Sequence, residues 1–71
     1  MDLKKQIGHR IKECRINAKL TQSAVAAALN IPQQQIGRYE TGKIIPSVEN
    51  LIVLCKFFAV TSDYIIGLSE I

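Results

Sequence analysis

The sequence predicts an all-α domain of five short helices, and three observations carry that expectation. Apolar residues recur at intervals of three and four (Leu3, Ile7, Ile11, Cys14, Ala18). Capping residues stand ahead of the later segments: Thr21, Ser47 and Thr61 or Ser62. Stop signals follow them at Asn30-Ile31-Pro32, Thr41-Gly42 and Gly67.

The first helix carries the Leu3–Ile7–Ile11–Cys14–Ala18 stripe, with Lys4, Lys5, Arg10, Lys12 and Lys19 lying off it. The second runs from Gln22 to Leu29 behind the Thr21 cap. Its Val25, Ala26 and Leu29 face the core, and its four alanines allow a tight helix crossing. Asn30 tolerates the left-handed conformation that ends helices, and Pro32 fixes φ where the next helix begins. The third helix, about Gln33 to Glu40, buries Ile36 and Tyr39 and presents Gln33, Gln34, Gly37, Arg38 and Thr41 on its other face. Ser47 caps a fourth helix, Val48 to Phe58, that is apolar nearly all round. Its core set is Leu51, Leu54 and Phe58, so Val53 lies off the core and part of this helix must face something else. A short fifth helix through Asp63, Tyr64, Ile65 and Ile66 stops at Gly67, and residues 68–71 are expected to fray.

A chain of 71 residues makes a single domain, residues 1–71. It buries only about 60% of its unfolded surface, so nearly every apolar side chain must join one core. With 48% hydrophobic and 21% charged residues, and only 4 Gly and 2 Pro, it is neither a disordered tail nor a collagen-like repeat. The apolar run Leu51 to Cys55 falls far short of the roughly 20 residues of a membrane span, and the first residues show no secretory signal. A cytoplasmic protein without membrane contact is expected.

Cys14 and Cys55 are too few for a disulfide framework and sit at apolar-periodic positions, which reads as reduced packing residues. His9 lies five residues from Cys14, on a different helix face, so no metal site is expected. No catalytic triad, phosphate-cradling Gly loop or pocketed carboxylate pair is present, and neither an enzyme nor a cofactor is expected. Residues 1–43 hold eight basic and three acidic side chains, against one and three in residues 44–71. A basic half points to a polyanion, although a solvated charged face gives the same pattern.

Two short helices joined by a three-residue turn, at about residues 21–41, form a helix-turn-helix pattern. Leu20-Thr21-Gln22, Val25-Ala26, Leu29, Ile31, Ile36, Arg38-Tyr39-Glu40 and Gly42-Lys43 resemble the DNA-binding domain of lambda-type repressors, Cro-like regulators and xenobiotic-response-element regulators. The resemblance extends through Ile7-Gly8, Arg10-Ile11 and Arg15 on one side. On the other it takes in Pro46-Ser47, Leu51, Leu54, Phe57-Phe58, Val60 and Asp63-Tyr64, and so covers about residues 7 to 67. The chain departs from that pattern in four places. Asn30 and Ala59 stand at positions usually held by Gly, Pro32 replaces a Ser or Thr cap, and Gly37 interrupts the third helix. Ala59 resists a positive φ. Gly37 reads either as tolerance at a solvated site or as room for close approach to a groove.

The resemblance implies a lambda-repressor-like fold and a set of roles. Gln33, Gln34 and Arg38 would read bases, since Gln pairs with adenine and Arg with guanine; Gln35 points sideways as a minor candidate. Arg10, Gln22, Thr41 and Lys43 would hold phosphates, whereas Lys4, Lys5, Lys12 and Lys19 read as solvated charge. Arg15 and Glu40 would form a buried structural ion pair, or else stand as two independent surface charges. The expected function is operator binding to double-stranded DNA as a homodimer, with repression the expected sign because so short a chain has no spare surface. Val53, Tyr64, Ile65, Ile66 and Leu68 would supply the dimer contact. The rival is an antitoxin-type protein that neutralises a protein partner and regulates itself through DNA.

Overall fold

The computed structural model describes residues 2–68; among them are five helices and no strand. These are α1 (Leu3–Asn17), α2 (Gln22–Leu29), α3 (Gln33–Glu40), α4 (Val48–Phe58) and α5 (Ser62–Ile66). Thr21, Ser47 and Thr61 cap α2, α4 and α5, each hydroxyl accepting from the amide three residues on. Asp2 does the same for α1, accepting from the amides of Lys4 and Lys5. Pro32 stands at the N-cap of α3 and makes no side-chain cap.

All five helices end alike. A residue with positive φ follows each one: Lys19, Asn30, Gly42, Ala59 and Gly67. The next amide then reaches back five residues: Leu20 to Arg15 O, Ile31 to Ala26 O, Lys43 to Arg38 O, Val60 to Cys55 O and Leu68 to Asp63 O. This is the Schellman closure, which satisfies carbonyls the helix leaves open. Only two of the five turning residues are glycine. Asn30 takes φ 56°, as its side chain permits, whereas Ala59 adopts φ 57° despite its Cβ penalty. Helix α4 ends at the expected place under strain.

Helix α1 packs on α3 and α5, and α2 packs on α3. The core comprises Ile7, Ile11, Val25, Ala26, Ile31, Ile36, Tyr39, Leu54 and Ile65, with Cys14, Leu29, Leu51, Cys55 and Phe58 half-buried against it. The α1 stripe is therefore shorter than its periodicity. Leu3 and Ala18 lie at its two ends, beyond the helices that cover its middle, and both are exposed. Three of the four α2 alanines (Ala24, Ala27, Ala28) face solvent, so Ala26 alone makes the close contact. The tightest approach lies elsewhere. A Cβ on Gly8 would collide with the Tyr39 carbonyl oxygen and stand 2.9 Å from that of Glu40, so α1 and α3 meet backbone to backbone.

Ile65 is fully buried, which removes it from any dimer contact. In a five-residue helix Tyr64, Ile65 and Ile66 point three different ways, and Ile65 is the one turned into the core. Tyr64 and Ile66 are half-buried and Leu68 is exposed; residues 69–71 of the expected frayed end lie outside the described residues.

Candidate nucleic-acid interface

Helix α3 divides cleanly around its axis. At about 100° per residue, Ile36 and Tyr39 share the inward side, while Gln33, Gly37, Gln34 and Arg38 occupy one continuous outward arc. The two apolar residues are fully buried; Gln33, Gln34 and Arg38 are exposed. Gln35 lies between, and its amide donates to the Tyr39 hydroxyl, which also accepts from Asn50 Nδ2 at 2.8 Å. That pair of bonds locks the phenol and holds Gln35 sideways, off the outward arc.

Beneath the arc sits a charged network. Arg15 Nε donates to Glu40 Oε2 at 2.7 Å and Arg15 Nη2 to Glu40 Oε1 at 3.0 Å, a bidentate pair, while Nη1 donates to the Leu20 carbonyl at 3.0 Å. Glu40's side chain is only 2% exposed and Arg15's 15%, so the two are not independent surface charges. The bond to Glu40 holds the guanidinium pKa above its ordinary value. Gln22 Nε2 donates to the same carboxylate at 3.2 Å. The start of α2 is thus tied to the end of α3, and both to α1. Gly37 belongs to this arrangement: the Gln22 amide lies over it, 3.5 Å from where a Cβ would stand.

The four residues expected at phosphates fall apart in the structure. Gln22 and Lys43 are placed at the ends of the α2–α3 unit, with Lys43 exposed. Arg10 is not with them. Its guanidinium carbon lies 4.3 Å from the ring centroid of Tyr64, drawing it toward α5, which packs on α1 and α4. Thr41 is also withdrawn, since its hydroxyl donates to the Gly37 carbonyl at 3.0 Å. The amides of Thr41, Gly42 and Lys43 are likewise spent on Gly37 O, Tyr39 O and Arg38 O in closing α3. The stem of Lys5 lies against Gly42, beside Lys43; a Cβ at Gly42 would be 2.8 Å from Lys5 Cγ. Only the long-range fold sets α1 beside the α3–α4 loop, and no local signal distinguishes Lys5 from Lys4 or Lys12.

His9 pairs with Glu13 at 3.0 Å on the exposed side of α1, and no metal-competent cluster occurs among the described residues. Cys14 and Cys55 are both free and half-buried, and burial pushes both thiol pKa values up, with Glu13 adding to the effect at Cys14.

The helix-turn-helix family model matches residues 11–65. Similar proteins include the HTH-type transcriptional regulator ImmR of Bacillus subtilis (strain 168), 34% identical over 65 residues, which are 92% of this chain and 51% of that protein. The SPbeta prophage-derived uncharacterized HTH-type transcriptional regulator YonR of the same organism is 34% identical over 59 residues, covering 83% of this chain and 55% of its own. The HTH-type transcriptional activator BcrR of Enterococcus faecalis is 30% identical over 66 residues, 93% of this chain and 32% of that protein. The chain spans about half the length of the first two relatives and about a third of the last.

Proposed function

The chain belongs to the helix-turn-helix family, and on that premise we propose that it is a sequence-specific regulator of transcription that binds operator DNA as a homodimer. The observation that carries this reading is the outward arc of α3. Gln33, Gln34 and Arg38 stand exposed on a helix whose opposite side is wholly buried, and their chemistry suits adenine and guanine edges in the major groove. Gln33 and Gln34 open the helix, at the end that lies nearest the bases in this docking geometry. Gln22, Lys43 and Lys5 flank it and hold phosphates, which fixes register without reading sequence.

Two-fold dimers meet two-fold operators, with half-sites about one turn of DNA apart. Repression is the sign we assign, because occupancy of a promoter asks for nothing beyond this surface, although the relative BcrR is named an activator.

The salt dependence of binding tests the reading. A dimer that neutralises about six to eight phosphates gives a slope of log K against log[salt] of roughly −5 to −7. A flat response on selected and random duplexes alike would contradict DNA binding.

A further inference from the structure

Helix α4 buries Leu54 and half-buries Leu51, Cys55 and Phe58, but turns a second, unpartnered side outward. That side is formed by two adjacent rows at i, i+4 spacing: Val48, Ile52 and Lys56 in one, Glu49, Val53 and Phe57 in the other. All six are exposed, Val48 at 73% and Ile52 at 48%. Among the described residues, neither Glu49 nor Lys56 has an ion-pair partner; the two salt bridges present are His9–Glu13 and Arg15–Glu40.

The two rows are complementary under reversal. The inversion of chain direction that sets Ile52 against Val53 also sets Lys56 against Glu49, while Val48 and Phe57, nine residues and about 180° apart, fall on the two flanks. Apolar meets apolar and cation meets anion at the facing positions. A two-fold axis between Ile52 and Val53 generates this pairing from two antiparallel copies of α4, since an isologous interface requires residue i to meet j while j meets i.

We propose that the occupant of this face is a second copy of the chain, docked α4 against α4 in antiparallel register about that axis. Two reciprocal Glu49–Lys56 pairs then bracket a central Ile52–Val53 cluster, with Val48 and Phe57 on its flanks. Charges at the two ends of this cluster fix register and exclude the parallel arrangement, which would set Glu49 against Glu49 and Lys56 against Lys56. The patch is one short helix wide, which makes the dimer weak in solution. The proposal gives the homodimer of the preceding reading its surface and rests on that reading, but its test uses no DNA, so the two fail separately.

Sedimentation equilibrium of the full chain between about 5 and 500 µM is the measurement. Wild type should self-associate reversibly to a dimer. Glu49→Lys and Lys56→Glu each create two like-charge contacts and should weaken dimerisation by roughly tenfold or more. An equimolar mixture of the two variants should regain wild-type affinity as a heterodimer, because every contact in it again joins opposite charges. Both sites are exposed, so thermal melts of the variants at low concentration should show an intact monomer. Ile52→Asp should abolish the dimer. A strictly monomeric wild type, single variants that dimerise like wild type, or a mixture that stays as weak as its components would each overturn the proposal. So would loss of the dimer in Ile66→Asp or Leu68→Asp with the charge variants unaffected, which would move the contact to α5.

Discussion

Replacing Arg15 by Ala is the sharpest perturbation of the fold. It removes both hydrogen bonds to Glu40 and the bond to the Leu20 carbonyl, and leaves a carboxylate only 2% exposed without its cation. Breaking a buried pair from one side costs about 3–5 kcal/mol, since the remaining charge keeps its desolvation penalty. A domain of this size has about 4–11 kcal/mol in total, at about 0.05–0.15 kcal/mol per residue. At about 4–8 °C per kcal/mol, the melting temperature should fall by more than about 12 °C. The guanidinium pKa is raised in the fold, so this contribution is complete below the ordinary arginine value and is lost only as pH climbs through the still higher folded value. Raising pH within the usual range therefore does not mimic the mutation. Arg10→Ala is the control: it gives up one cation–π contact, and about 0.5–1 kcal/mol. Arg15→Met with Glu40→Leu should recover most of the loss, because no charge remains buried. Thermal melts followed by far-ultraviolet circular dichroism decide the matter. Equal, small shifts for Arg15→Ala and Arg10→Ala would refute the energetic role given to the pair.

Three further outcomes are expected. Ala59→Gly should stabilise the chain by about 0.5–1 kcal/mol by relieving a left-handed alanine, read as a higher urea midpoint at unchanged slope. Gly8→Ala should prevent the α1–α3 approach and cost several kcal/mol, with a collapsed melting transition as the sign. Burial raises both thiol pKa values, so Cys14 and Cys55 should alkylate more slowly at pH 8 in the folded chain than in urea. Their contribution to stability is present below the ordinary thiol value and fades as pH rises through the folded one.

Local chemistry made α2, α3 and α4 legible from sequence. Thr21, Ser47 and Asn30 mark ends whose geometry depends on a few neighbouring backbone groups, and the structure places those ends there. Helix α1 misled at its ends because periodicity defines a stripe but not how far the covering helices reach; Leu3 and Ala18 lie past them. Ile65 was illegible for a different reason: one helical turn has too few residues to define a face. The site shows the same division. The outward placement of Gln33, Gln34 and Arg38 follows from the burial of Ile36 and Tyr39 on the same helix. Arg10 lies over Tyr64 and Lys5 beside Gly42, placements that come from α5 and the α3–α4 loop, distant in sequence. The sequence offers Thr41 as a phosphate contact, but its hydroxyl donates within α3, to the Gly37 carbonyl. Asp2 needed only the rule already applied to Thr21, an acceptor side chain directly before the first helical residue.

The central claim, that sequence choice resides on the opening of α3 and not of α2, is tested most directly by selecting bound sites from random duplex DNA. The wild type, Gln33→Ala, Gln34→Ala and Gln22→Ala are compared at one fixed salt concentration. Each α3 variant should lose about 1–3 kcal/mol on the wild-type site and relax preference at one or two positions of each half-site. Gln22→Ala should weaken all sites nearly uniformly and return the wild-type consensus, as loss of a phosphate contact requires. A rewritten consensus for Gln22→Ala, with the wild-type consensus kept by Gln33→Ala and Gln34→Ala, would contradict the account.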